Sequence, residues 1–161
     1  MSITGLNHAV LYVSDARSTQ QFYANVLDFT TVIDHPTAAY IFMRAPGSVN
    51  HHDIAFFSVG TDKQPSQAGL TTVGLYHLAW EVPTLEDLES VRAKLVNAGA
   101  LVGQSDHGVN KSLYARDPDG LEFEVMWLVP IEHWGAAEDQ AIVEPLDLEN
   151  ERRSFEKLGY R

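Results

Sequence analysis

Seven histidines, at positions 8, 35, 51, 52, 77, 107 and 133, and no cysteine bound the metal chemistry open to this chain. A metal site must draw on His, Asp and Glu. Two of the histidines sit in matching contexts. Gly5-Leu6-Asn7-His8-Ala9-Val10-Leu11-Tyr12-Val13 recurs as Gly74-Leu75-Tyr76-His77-Leu78-Ala79-Trp80-Glu81-Val82, at a constant offset of 69 (77 − 8). A lone His is most often an ordinary core or surface residue. A matched pair in two repeated strands can converge on a pseudo-two-fold axis.

A third donor follows from turn chemistry. Asp117-Pro118-Asp119-Gly120 suits a type I turn with a positive-φ glycine, and a three-residue loop over 118–120 pairs 117 with 121. That register sets Tyr114 opposite Glu124, with Glu122, Glu124 and Met126 on one face and Leu121, Phe123, Val125 and Trp127 on the other. A Glu in an apolar strand is costly to bury unless it is paired or metal-bound; the competing reading is a solvent-facing edge strand. Two imidazoles and a carboxylate form the facial set favoured by non-haem Fe(II), with positions left open for other ligands. Mn(II) is compatible and catalytic Zn uses similar sets, so spacing alone does not choose the metal.

The elements that must position these residues come from periodicity and caps. Each repeat begins as a short apolar strand. Ser14-Asp15 caps a helix running to Leu27, and Thr84 with Asp87 caps one through Leu85, Leu88, Val91 and Leu95 that Asn97-Ala98-Gly99 ends. Strands are expected near 30–34, 39–44 and 53–59, and near 101–104, 111–116 and 121–128. The order is strand, helix, three strands, twice over: an α+β chain of two tandem βαβββ modules. The modules cover about 4–60 and 73–129 within a domain of 1–130, followed by an acidic extension over 131–161 with one helix near 148–158.

Composition narrows the partners. The 161 residues carry 22 acidic and 11 basic side chains, a net charge of −11, which argues against nucleic acid and an anionic membrane surface. Hydrophobic content of 45% excludes a disordered chain. No apolar run is long enough to span a bilayer, and the N-terminus does not read as a signal peptide. The expected location is the cytoplasm.

From about residue 4 to 129 the chain resembles the vicinal oxygen chelate superfamily, which includes glyoxalase I, bleomycin-resistance proteins and type I extradiol dioxygenases. The resemblance rests on Leu6-Asn7-His8-Ala9-Val10, Phe22-Tyr23-Ala24-Asn25-Val26-Leu27-Asp28-Phe29, Tyr76-His77-Leu78-Ala79-Trp80-Glu81-Val82 and Asp117-Pro118-Asp119-Gly120-Leu121-Glu122-Phe123-Glu124. It implies paired modules forming a cupped, incomplete barrel around a metal. Asp28 stands where the family usually has Gly.

Within the superfamily the chain is most similar to single-domain extradiol dioxygenases. That resemblance implies metal ligation by His8, His77 and Glu124, a catalytic His52 in His52-Asp53-Ile54-Ala55-Phe56, and active-site roles for His107 and Tyr114. It implies Fe(II), with Mn(II) as the other candidate, and ring cleavage of a catechol-type diol by O2. His52 would act at the bound oxygen, and Tyr114 and His107 would bind substrate oxygens. The partners are then a small aromatic diol and O2, with a homodimer or higher homo-oligomer expected. Trp80 and Phe56 would suit an aromatic ligand, although core placement explains them equally. A glyoxalase-like isomerase or lyase is one alternative; it typically needs a fourth ligand, and the matching place holds Ala55 or a Phe, with Asp53 as the exception if the register slips. A metal-free binding module of the drug-resistance kind is the other, and it has no reason to keep His52, His107 and Tyr114 together.

Overall fold

The computed structural model describes residues 2–35, 37 and 39–160. They form two compact units, Met1–Ser66 with Pro118–Gly120, and Gln67–Asp117 with Leu121–Arg161. The first unit contains β1 (Ala9–Val13), α1 (Ala16–Leu27), β2 (Thr30–His35), β3 (Tyr40–Arg44) and β4 (Ile54–Ser58). The second contains β5 (Leu78–Val82), α2 (Leu85–Asn97), β6 (Leu101–Asp106), β7 (Asn110–Arg116), β8 (Glu122–Leu128) and α3 (Leu148–Glu156). Each unit holds one four-stranded mixed sheet, ordered β1-β4-β3-β2 and β5-β8-β7-β6. The first strand of each pairs parallel with the last, and the other neighbours are antiparallel. The α+β, twice-repeated βαβββ architecture is therefore the one the sequence pattern dictates.

The helices begin and end where local chemistry requires. The Asp15 carboxylate accepts the Arg17 N–H at 2.9 Å and starts α1. The chain leaves α1 through Asp28 in the left-handed region (φ 57), the position the family resemblance assigns to Gly. Thr84 accepts the Asp87 N–H at 3.0 Å and starts α2. The Asp87 carboxylate takes the Thr84 hydroxyl rather than a backbone N–H, because Asp is one methylene shorter than the Glu of a full capping box. Gly99 (φ 65) turns the chain out of α2.

Alternation then divides each sheet into two faces. In the first unit Val13, Ile41, Met43, Ile54 and Phe56 are buried with Tyr23 and Val26 of α1. Phe56 is fully buried, its ring 5.0 Å from that of Tyr23, so it is a core residue. In the second, Leu113, Ala115, Phe123, Val125 and Trp127 are buried with Leu88 and Leu95 of α2. The opposite face of the second sheet carries Tyr114 and Glu124, and the histidine candidates lie at strand ends and in loops.

The extension belongs to the second unit. Leu146 and Leu148 are buried, and Phe155 of α3 stacks edge-on against Trp127 at 4.9 Å. Lys111 is buried between Asp106 (2.6 Å) and Glu151 of α3 (3.1 Å). A buried ammonium needs such partners, so this pair of contacts ties α3 to β7. His133 packs edge-on against Phe155 and Tyr160, a structural role. Among the described residues no helix is long and apolar enough to cross a membrane.

Candidate functional site

The 117–121 turn sets the register of the second unit. The Asp117 N–H donates to the Leu121 carbonyl at 3.0 Å, the Asp117 carboxylate accepts the Leu121 N–H at 2.9 Å, and Gly120 has φ 77. Tyr114 consequently lies opposite Glu124 and Arg116 opposite Glu122, as the turn arithmetic requires. Glu124 is only 7% exposed, and β8 is an inner strand between β5 and β7. The solvent-facing edge-strand alternative is thereby excluded.

His8 and His77 lie one residue before β1 and β5 rather than inside them. The β1–β4 ladder begins where β4 does, Ala9 pairing with Ile54, whereas β5 pairs from Leu78 with Phe123 although β8 already begins at Glu122. The expectation of two in-strand histidines is corrected by one position. His77 Nε2 is 3.0 Å from Glu124 Oε2. Two donors each about 2.1 Å from one ion and at right angles are about 3 Å apart, so the pair has the spacing of adjacent metal ligands. His77 Nδ1 is buried and has no hydrogen-bond partner among the described residues. The other Glu124 oxygen lies 3.5 Å from the Asn110 amide nitrogen. Among the described residues no group of three His, Asp or Glu is gathered as a complete metal cage. His77 and Glu124 lie in the second unit, and His8 lies in the first.

Tyr114 and His107 complete the polar face of the second sheet. The Tyr114 hydroxyl is 2.7 Å from His107 Nε2, and the His77 and Tyr114 rings are 5.8 Å apart. Burial, then the nearby Glu124 charge, holds the Tyr114 phenol above its ordinary pKa, so it is a neutral donor and acceptor across the physiological range. His107 Nδ1 is 2.7 Å from the Ile142 carbonyl oxygen.

The first unit brings His8, His51 and His52 together. The His8 and His52 rings are 4.5 Å apart, Phe42 packs against His52 at 4.9 Å, and His51 Nδ1 is 3.0 Å from His52 Nδ1. Burial, followed by the charges of His8 and His51, lowers the His52 pKa below its usual value, while Asp53 opposes the shift. His52 is thus an uncharged imidazole at neutral pH, able to take a proton.

Residues the sequence did not single out support His8. Its Nδ1 lies 2.8 Å from the Asn7 side-chain oxygen. The Asn50 amide donates to the Asn7 carbonyl at 3.0 Å and to Asp53 at 2.9 Å. Asp53 also accepts from Ser48 at 2.7 Å and the Ala45 N–H at 2.8 Å. Burial pushes the Asp53 carboxyl up, but these donors and Arg44 outweigh it, and the net shift is downward. With Nδ1–H held by Asn7, His8 Nε2 is the free lone pair, as a metal-ligating histidine requires. Loop amides beside a histidine carry no periodic signal, so sequence pattern alone gives Asn7 and Asn50 no role.

The repeat also tests a four-donor site. Adding the offset of 69 to Ala55 gives 124; Ala55 pairs with Val10 as Glu124 pairs with Ala79, so Ala55 holds the place of Glu124 in the first unit. Ala55 is fully buried and has no donor atom, and Asp53 is engaged by its loop. Two grooves of the second unit, of about 680 and 430 Å³, run along α2 and α3, and no candidate residue lines them.

Comparison with known proteins fits this arrangement. Residues 5–125 match the Glyoxalase/Bleomycin resistance protein/Dioxygenase superfamily, and the chain belongs to it. A biphenyl-2,3-diol 1,2-dioxygenase of Rhodococcus globerulus is 34% identical over 121 residues, 74% of this chain and 61% of that protein. A catechol-2,3-dioxygenase of Bacillus subtilis is 28% identical over 134 residues, 81% of this chain and 44% of that one. The chain thus spans about half the length of these curated relatives. Among solved structures, a glyoxylase/bleomycin resistance protein/dioxygenase domain from Frankia sp. EAN1pec superposes with a TM-score of 0.66 at 23% identity, covering 82% of this chain and 98% of that one. A fosfomycin resistance protein from Listeria monocytogenes gives 0.58 at 20% identity, covering 77% and 91%. These two share the fold.

Proposed function

We propose that the protein is an Fe(II)-dependent extradiol dioxygenase that cleaves the ring of a catechol-type diol with O2. The observation that carries this reading is the polar face of the second sheet. A hydrogen-bonded Tyr114–His107 pair stands beside a His77–Glu124 pair spaced as adjacent ligands. His77 and Glu124 would hold the metal with His8 as third donor, leaving positions open. The bound ion would supply charge neutralisation and bring both reactants into one oriented complex. The chain's own residues do the rest. Tyr114 accepts a hydrogen bond from a diol hydroxyl, and His107 fixes the phenol's direction. His52, uncharged at neutral pH, takes and returns a proton on the oxygen side. The similarity to named dioxygenases supports the same reading, and Ala55 in place of a fourth donor weighs against a glyoxalase-type isomerase.

The test is oxygen uptake by protein reconstituted anaerobically with Fe(II), given catechol or 2,3-dihydroxybiphenyl. Iron-dependent uptake with a yellow ring-cleavage product is expected. Tight binding of either diol with no uptake by the iron-loaded protein would contradict the proposal and favour a binding module.

A further inference from the structure

The C-terminal extension reaches the candidate site through one backbone atom. Its chain runs beside β6, the outer strand of the second sheet. Asp106 and Glu144 exchange backbone hydrogen bonds of 2.8 and 2.9 Å, and the Gln104 amide donates to the Leu146 carbonyl at 2.8 Å. The approach is close. A Cβ on Gly108 would stand 2.8 Å from the Ala137 Cβ and 3.0 Å from the Ile142 side chain, and Gly108 has φ 76. Only glycine fits there. The segment is fixed downstream by buried Leu146 and Leu148 and by the Lys111–Glu151 ion pair.

This placement puts the Ile142 carbonyl oxygen 2.7 Å from His107 Nδ1. A carbonyl only accepts, so Nδ1 carries the proton. In the neutral ring Nε2 is then bare and must accept the Tyr114 hydroxyl hydrogen, 2.7 Å away. The phenol's proton is committed, and its oxygen offers only lone pairs to a ligand. With the other tautomer the bond reverses: Nε2–H donates to the phenol oxygen, and Tyr114 presents a donor.

We propose that the Ile142 carbonyl is a positioning group of the candidate site. It selects the Nδ1–H tautomer of His107 and so makes Tyr114 an acceptor for a substrate hydroxyl. The substrate part of this inference rests on the dioxygenase reading; the tautomer does not. The extension is then part of the site, since the atom that orients the His107–Tyr114 pair lies 35 residues beyond His107.

The experiment is NMR of the full chain with ¹⁵N-labelled histidine, with His107 signals identified by their loss in His107→Asn. Ring correlations distinguish a protonated nitrogen from a bare one. Nδ1 protonated and Nε2 bare is expected; the reverse would overturn the proposal. In a second sample Val143 is replaced by its α-hydroxy analogue, which turns the Ile142 amide into an ester and weakens its carbonyl as an acceptor. Among the described residues the Val143 N–H donates to no backbone carbonyl, so little else is lost. Losing most of a hydrogen bond of about 1 kcal/mol shifts the tautomer ratio about fivefold toward Nε2–H. An unchanged ratio in the ester protein would refute the role of Ile142. These readouts need no turnover, so a protein that fails to cleave catechols would count against the dioxygenase reading alone.

Discussion

Asp53 offers the sharpest test of how the first unit holds His8. Its carboxylate is 9% exposed and accepts three hydrogen bonds, from Ala45 N–H, Ser48 and Asn50, at 2.8, 2.7 and 2.9 Å. Each such bond contributes about 1 kcal/mol net, somewhat more to a charged acceptor, and the half-buried donors regain some of this from water. Asp53→Ala should therefore cost about 3 kcal/mol. With a urea m-value of about 2 kcal/mol/M, the midpoint falls by about 1.5 M at unchanged slope. A loss below about 0.5 kcal/mol would refute the network. Acid adds a second readout through Asp53→Asn. The folded-state pKa of Asp53 lies below its unfolded value of about 3.9, so the carboxylate's contribution is complete above that value and is lost as pH falls through the folded pKa. The stability gap between wild type and Asp53→Asn should stay level from pH 7 to about 5 and close below about pH 4. A gap that widens with acid would contradict the assignment.

Three further outcomes follow from the fold. Asp28→Gly relieves a left-handed non-glycine cap and should raise stability by about 0.5 kcal/mol, seen as a higher melting temperature. Lys111→Met strips the partner from Asp106 and Glu151 and should cost about 3 kcal/mol, with faster proteolysis of the chain after residue 131. Tyr114→Phe should lower turnover of a catechol about 100-fold while changing stability by less than about 1 kcal/mol, which steady-state kinetics and denaturation measure on one preparation.

The parts of this structure legible in the sequence are those set by local rules. The 69-residue repeat, the Asp15 and Thr84 caps and the Asp-Pro-Asp-Gly turn each act over a few residues, and from them came the element order and the placing of Tyr114 opposite Glu124. The one-residue offset of His8 and His77 was not legible, because where a ladder begins depends on pairing with a strand distant in the sequence, and that is a non-local fact. Asn7, Asn50 and the Ile142 carbonyl were invisible for a different reason. Amides in loops have no period, and a backbone oxygen is the same at every position in the chain. Phe56, which composition alone left between core and ligand contact, is settled by alternation in β4 and by the ring of Tyr23.

The claim on which everything functional depends is that His8, His77 and Glu124 hold one divalent ion. Elemental analysis after anaerobic Fe(II) loading and desalting tests it directly, on wild type and on His8→Ala, His77→Ala and Glu124→Ala, with circular dichroism as the folding control. The expected result is one iron per wild-type chain and loss of most of it in each folded variant. Full iron occupancy in any of the three folded variants would remove that residue from the metal site and contradict the account.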